Sequence, residues 1–201
     1  MMAMCTRCVP VVCPLCTRRV PVVCPLCTRC VPSSLPLRWR RLRWARPVAG
    51  SAAVAREFER IRAETLTRRV RRDTLCDDVT SMRQRMRKEL DKSDATQFDL
   101  KQGNGGIGDI EFIVQFLVLR EACHSSGLTG WSDNIRQLEA LATANILSAA
   151  DTELLAGVYR EFRSRMHRLA LAGKPRLVPR DEVAELAGKV RKIWQQVFGG
   201  D

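Results

Sequence analysis

Apolar residues in the last three quarters of the chain recur every three or four positions, which is the spacing of one face of an α-helix. No stretch alternates with a period of two for long, so strands are not expected. The pattern predicts an all-α bundle of about six amphipathic helices. Its apolar positions are Val54, Phe58 and Ile61; Leu75, Val79, Met82, Met86 and Leu90; Ile107, Ile110, Val114 and Leu117; Ile135, Leu138 and Leu141; Leu155, Val158, Phe162, Met166 and Leu169; and Val183, Leu186, Val190, Ile193 and Val197.

Short polar side chains predict where three of these helices begin. Thr74 with Asp77 resembles a capping box before the second helix. Ser132 is placed to cap the fourth helix, and Ser148 with Asp151 to cap the fifth. These residues can accept hydrogen bonds from the amides that a helix start leaves unpaired.

Residues 1–46 differ from the helical part in composition. Residues 5–37 are three near-copies of an 11-residue unit, CTRCVPVVCPL, CTRRVPVVCPL and CTRCVPSSLPL. The net charge of +12 comes mainly from here, because residues 1–50 hold nine arginines and no acid, whereas the rest holds 25 basic and 22 acidic side chains. We predict a low-complexity leader over 1–46, which is disordered or arises from an unintended reading frame, and a helical domain over 47–201.

Two other interpretations of the leader are open. The Cys5–Cys8 and Cys13–Cys16 pairs have the spacing of zinc ligands, although only four residues separate the pairs, where about 12–20 are usual. The segment RWRRLRW could instead bind nucleic acid by charge and aromatic stacking. Under that alternative the chain is a freestanding helical interaction protein with a basic leader. Our main interpretation includes neither zinc nor a nucleic-acid partner.

Two features indicate a cytoplasmic protein without a membrane partner. Arg and Pro interrupt every apolar run before it reaches about 18 residues, so no membrane span is expected. Seven of the nine cysteines lie in the leader, and the helical part has only Cys76 and Cys123. Two scattered cysteines are typical of reduced, cytosolic thiols.

The segment FDLKQGNGGIGDIEFIVQFLVLR, residues 98–120, is the strongest candidate for chemistry. Glycines let backbone amides approach a ligand, and the start of a helix favours anions, so a role in binding phosphate is reasonable. The glycines match G-x-G-x-x-G, but no strand is expected on either side, which excludes a dinucleotide-binding unit. Lys101 precedes the glycines, so the segment is no P-loop. Asp109 and Glu111 would lie on different faces of the helix and could not share a metal.

The histidines offer no metal or catalytic site. His124 follows Cys123, but adjacent side chains on a helix point apart, so we expect no Cys–His nucleophile. His167 is expected on a solvated face. Trp131 and Trp194 are expected to pack in the core or between helices. We therefore predict no catalytic residue and no metal ligand in the chain.

Three segments resemble glutamine synthetase adenylyltransferase, the bifunctional enzyme that adds AMP to a tyrosine of glutamine synthetase and removes it. One is residues 98–120, with its Lys, paired Gly and Asp-Ile-Glu-Phe. The others are GLTGWSDNIRQLEAL, residues 127–141, and YREFRSRMHRLAL, residues 159–171. Their order and spacing agree with the family, and the resemblance runs from about Ala45 to the end.

The resemblance implies the C-terminal helical part of this enzyme, with glutamine synthetase and a PII-type signalling protein as partners. ATP and Mg²⁺ would serve the full-length enzyme through an upstream nucleotidyltransferase domain, whose Gly-Ser turn and paired acids do not occur in this sequence. We therefore expect a module that completes the nucleotide cleft and docks the partner, inactive alone. By resemblance, the residues near the nucleotide or the domain interface would be Lys101, Gly105, Gly106, Asp109 and Glu111.

Overall fold

The computed structural model describes the helical part of the chain and two short backbone segments before it. The described residues are 45–68 and 73–199, with the backbone of 11–12 and 19–20. The chain divides into two compact units, Met1–Leu35 and Pro36–Asp201, and the second holds all the helices given below.

In the first unit, strand β1 (Val11–Val12) pairs antiparallel with strand β2 (Arg19–Val20). The other predictions for the leader concern residues outside the described ones. They are its disorder, the zinc alternative and the nucleic-acid segment. The predicted boundary after residue 46 stays a prediction.

The predicted all-α bundle of six helices is confirmed over the described residues. No helix among them is both long and apolar enough to cross a membrane. A 3₁₀ turn lies between the third and fourth helices, at Ser126–Thr129. The helices are α1 (Ala52–Arg68), α2 (Leu75–Leu90), α3 (Ile107–Glu121), α4 (Asn134–Thr143), α5 (Ala149–Leu171) and α6 (Ala184–Phe198).

Helix α3 is the centre of the second unit. Twelve of its fifteen residues are buried, and it packs against α2, α4, α5 and α6. A helix that is apolar on nearly all sides is stable only when other helices surround it, because each exposed apolar side would cost free energy of hydration. The position of α3 therefore follows from its sequence, IGDIEFIVQFLVLRE.

A pair of three-residue strands was not expected. Strand β3 (Gln97–Asp99) pairs antiparallel with β4 (Leu177–Pro179), and Phe98 lies opposite Val178. Three residues are too few for an alternating pattern to be recognised in a sequence. The pairing joins the segment before α3 to the connection between α5 and α6.

The helix starts agree only in part with the predicted caps. Ser148 caps α5 as expected, since its Oγ accepts from the amide of Asp151 at 3.0 Å. Thr74 precedes α2, but its side chain caps no amide; its hydroxyl lies 3.2 Å from the carboxylate of Asp78. Ser132 is wrong as the cap of α4. Asp133 takes that role, because α4 begins at the next residue and the Asp133 carboxylate accepts from Arg136 N at 2.9 Å.

The prediction that Val54 lies on the packed face of helix α1 is wrong. Val54 is 67% exposed, and the buried side chains of α1 are Arg62 and Leu66. Arg62 reaches the carbonyl oxygen of Thr129 with Nη2, and so links α1 to the 3₁₀ turn. The apolar spacing identified the helix but not the face that packs.

Candidate functional site

Strand β3 leads directly into a glycine-rich loop, residues 99–108, which we call the glycine loop. Asp99, fully buried at its start, organises the first half of the loop. Its Oδ1 accepts from the amides of Lys101 and Gln102, both at 2.9 Å. Arg176 Nε donates to the same oxygen at 2.8 Å and ties the loop to the segment before β4.

The amides at the start of α3 donate within the protein. Ile107 N donates to Leu100 O at 2.9 Å, and Gly108 N donates to Lys101 O at 2.9 Å. A helix start binds an anion through amides that have no intrahelical acceptor. Here the carbonyl oxygens of the preceding loop already supply acceptors, so these two amides are not open donors for a phosphate.

Asp109 lies in the first turn of α3 and joins the loop to α2. Arg83 Nε donates to its Oδ1 at 2.6 Å, and Arg87 Nη2 donates to the same oxygen at 2.9 Å. The amide of Gly105 donates to Oδ2 at 2.6 Å. Asp109 and Arg83 are each 1% exposed, and Arg83 also donates to the side chain and backbone oxygens of Gln102. We call Arg83, Arg87 and Asp109 the arginine clamp.

Two glycines are required by close packing of the loop against its neighbours. Gly105 has φ +93°, and a Cβ there would lie 2.9 Å from Ala187 Cα and nearer still to its carbonyl group. At Gly108 a Cβ would meet Lys101 O at 2.9 Å and Arg83 Nη2 at 3.0 Å. The loop is therefore the surface on which α6 and the arginine clamp rest.

The structure places the five predicted nucleotide-binding residues in two groups. Gly105, Gly106 and Asp109 are buried in the loop and clamp, whereas Lys101 and Glu111 are half-buried. The carboxylate of Asp109 accepts from two arginines and one amide, which makes it a structural group. That these five residues lie near a nucleotide stays a prediction.

Glu111 lines a cleft of about 390 Å³ that we call the Tyr159 cleft. The three segments that carry the family resemblance meet there, since Glu111 comes from the first, residues 132–134 from the second, and Tyr159 and Arg163 from the third. Its polar lining is Glu111, Ser132, Asp133, Asn134, Tyr159 and Arg163.

Hydrogen bonds to one phenol oxygen hold Asn134, Tyr159 and Arg163 together in this cleft. Asn134 Nδ2 donates to Tyr159 Oη at 2.8 Å, and Arg163 Nη1 donates to the same oxygen at 3.2 Å. The Arg163 guanidinium also lies 5.5 Å from the centre of the Tyr159 ring. The cleft thus presents guanidinium, carboxamide, phenol and carboxylate groups, which can recognise a polar ligand or partner side chain by hydrogen bonding.

The sequence analysis did not predict the cluster of Asn134, Tyr159 and Arg163, although the spacing of two of these residues indicated a contact. Tyr159 and Arg163 are four residues apart, so they share one face of a helix, as the two contacts between them require. Asn134 lies 25 residues before Tyr159, and no local pattern connects them. Only the packing of α4 on α5 brings the carboxamide to the phenol.

Two structural premises were wrong for local reasons: that the side chains of Cys123 and His124 point apart, and that Trp131 packs in the core or between helices. The expectation that Cys123 and His124 form no nucleophile stays a prediction. Cys123 Sγ lies 3.3 Å from His124 Nδ1, because α3 ends at Glu121 and both residues follow it in a turn. Trp131 is 43% exposed rather than in the core, with the Arg136 guanidinium 4.6 Å from its ring centre. Trp194 packs as expected, and His167 is exposed as expected.

No three His, Cys, Asp or Glu side chains converge as a potential metal site within residues 45–68 and 73–199.

Comparison with known proteins identifies relatives for most of the helical part. Residues 74–195 match the family model described as GlnD PII-uridylyltransferase. Proteins named bifunctional glutamine synthetase adenylyltransferase/adenylyl-removing enzyme are 42% identical in Thioalkalivibrio sulfidiphilus and 38% identical in Pasteurella multocida, over 154 residues each. The protein of that name from Hahella chejuensis is 40% identical over 159 residues. Each comparison covers 77% of this chain and 16% of the relative.

The chain therefore spans about one sixth of the length of the curated relatives it matches. The resemblance to glutamine synthetase adenylyltransferases is confirmed. The family model is named for a uridylyltransferase and these relatives for adenylyltransferases, so both names describe nucleotidyl transfer. The matched residues contain the glycine loop, the arginine clamp and the Tyr159 cleft. On the match over residues 74–195, the chain belongs to the GlnD PII-uridylyltransferase family.

Proposed function

We propose that the helical domain works within an adenylyltransferase system that regulates glutamine synthetase by adding and removing AMP. The observation that carries this proposal is the Tyr159 cleft, where side chains from all three resembling segments meet in one place. A cleft with convergent polar groups is the usual form of a recognition site. The names of the similar proteins point to glutamine synthetase as the substrate protein.

The domain would complete the nucleotide cleft and recognise the partner protein, and it would supply no group that takes part in the reaction. Nucleotidyl transfer needs carboxylates that hold Mg²⁺ against the phosphates of ATP. The Asp109 carboxylate is already held by Arg83, Arg87 and the Gly105 amide, and so serves the fold. ATP and Mg²⁺ would therefore bind a nucleotidyltransferase domain, and the chain would transfer no AMP alone.

Among the five predicted residues, Lys101 and Glu111 are the two that could reach a ligand. The half-buried Lys101 belongs to the glycine loop, where an ammonium group could contact a phosphate of bound ATP. Glu111 would act in the Tyr159 cleft, while Gly105, Gly106 and Asp109 keep the loop in shape. Docking of glutamine synthetase and of a PII-type protein belongs to the same proposal.

AMP transfer in a reconstituted mixture tests this function. The chain is incubated with glutamine synthetase, ATP and Mg²⁺, alone and with the nucleotidyltransferase domain of a relative, and adenylylated tyrosine is measured by mass spectrometry. We expect AMP transfer to glutamine synthetase only when the chain and the nucleotidyltransferase domain are present together. Transfer that is equally fast without the chain would refute the proposal.

Lys101→Ala tests the role of the loop in the same assay. We expect kcat/KM for ATP to fall about tenfold, the effect of losing one charge-assisted hydrogen bond to phosphate. Lys192→Ala, at an exposed position of α6, is the control and should leave the rate unchanged. Equal rates for both variants, with equal melting temperatures, would contradict a role for Lys101 in nucleotide binding.

A further inference from the structure

A second cleft, of about 350 Å³, lies between α2 and α6, and two residues of the arginine clamp, Arg83 and Arg87, line it. We call it the Arg87 cleft. Its lining includes Thr80, Gln84 and Arg87 from α2, and Trp194 and Gln195 from α6. None of these residues belongs to the Tyr159 cleft or to the predicted nucleotide-binding set.

The charges of the arginine clamp do not balance. Arg83 and Arg87 both donate to the one carboxylate of Asp109. Arg83 is almost fully buried, and no acidic residue is among the described residues that line the cleft. Within residues 45–68 and 73–199, the clamp therefore leaves one positive charge beside the cleft without a compensating carboxylate.

Arg87 also has donors that the described residues do not use. Its Nη2 binds Asp109, whereas its buried Nε has no hydrogen-bond partner. Its Nη1 makes no hydrogen bond to the described residues, and the side chain is 28% exposed. A buried N–H group without an acceptor costs free energy, and a bound anion would pair with the partly exposed guanidinium.

The remaining lining suits the rest of a small ligand. Gln84 and Gln195 can donate or accept hydrogen bonds, and Trp194 adds an aromatic wall. The Thr80 hydroxyl donates to Cys76 O and can accept a hydrogen bond from a ligand. The volume lies within the usual range for small-ligand sites. We propose that the Arg87 cleft binds a small phosphate-bearing ligand, with Arg87 contacting the phosphate.

This site goes beyond the proposed function, since it can be measured without glutamine synthetase or AMP transfer. The test titrates the ¹⁵N-labelled chain with AMP, inorganic phosphate and adenosine, and follows the Nε–H resonance of Arg87 by NMR. We expect AMP and phosphate to shift this resonance to saturation and adenosine to leave it unmoved. If AMP binds at least tenfold more tightly than inorganic phosphate, the ligand of the site is a nucleoside phosphate. If the two bind equally tightly, the ligand is free phosphate.

Two isosteric variants make the test specific. Gln84→Glu places a carboxylate in the cleft three residues before Arg87, where it would pair with the guanidinium and weaken AMP binding about tenfold. Gln196→Glu makes the same charge change at an exposed residue of α6 outside this cleft, and should keep full affinity. Neither variant replaces a residue of the arginine clamp, and equal melting temperatures would verify their folding.

Three outcomes would overturn the proposal. They are the absence of any Arg87 shift with AMP and phosphate, an equal shift with adenosine, and equal AMP affinity in Gln84→Glu and Gln196→Glu.

Discussion

Helices α3 and α1 have similar lengths but opposite surroundings. Twelve of the fifteen residues of α3 are buried, against two of the seventeen residues of α1. Four helices surround α3, whereas α1 is anchored by Leu66 and by the reach of Arg62 to Thr129. The difference teaches that a helical pattern predicts a helix but not how much of it is covered.

The ion pairs of the two regions differ in the same way. Arg83 and Asp109 form a pair that is buried on both sides, while Arg60 on α1 pairs with Glu57 and Glu64 in solvent. The hydrogen bond from Arg60 lowers the pKa of the exposed Glu57. An exposed pair contributes little, because water and salt screen it, whereas an unpaired buried charge is costly.

The largest effect is expected from Asp109→Asn. Removing the carboxylate leaves Arg83 charged and buried, which should lower the free energy of unfolding by about 3–5 kcal/mol, measured by urea denaturation. Glu57→Gln removes one of the two acidic partners of the exposed Arg60 and should not measurably change the urea midpoint. Similar losses in the two variants would abolish the distinction between buried and exposed pairs.

Gly105→Ala should cost about 3 kcal/mol, since it combines a strained positive φ with overlap against Ala187. Gly173→Ala is the matched control, because Gly173 also has a positive φ, of +64°, but nothing within 4 Å of its Cβ position. It should cost only about 1 kcal/mol. If the two variants lose equal stability, packing against α6 does not explain why residue 105 is a glycine.

On α1, Leu66→Ala should cost about 2 kcal/mol, the low end for a buried leucine, because a peripheral helix can shift into the space. Val54→Ala on the exposed face should change stability by less than about 0.5 kcal/mol. Thermal unfolding of both variants measures the difference. A larger loss of stability in Val54→Ala than in Leu66→Ala would support the packed face that the apolar spacing predicted.

The smallest effect is expected from Asp94, at the exposed entrance to β3. The amides of Gln97 and Thr96 donate to its carboxylate, both at 2.7 Å, and lower its pKa. A lowered folded pKa means that the stabilisation is present above the unfolded pKa of about 3.9 and is lost as the pH falls through the folded pKa. Below about pH 4, the melting temperature should therefore fall more steeply for the native chain than for Asp94→Asn. Parallel profiles would exclude this contribution.

Much of the fold could be read from local patterns, because helix formation and capping depend on residues within one or two turns. The six helices and the Ser148 cap are examples. The candidate sites depended on distant residues. Asp99 meets Arg176 across 77 positions of the chain, and Asn134 meets Tyr159 across 25. No spacing rule relates such pairs, since packing of the helices decides which residues meet.

The glycine loop shows where sequence and tertiary structure divide. The sequence by itself determined a glycine-rich turn at the start of an apolar helix, since few other residues allow such close backbone approaches. It could not determine what approaches the backbone. Only the tertiary structure decided that Ala187 of α6 and the clamp residue Arg83 take those positions, because their placement depends on how whole helices exclude water and neutralise a buried charge.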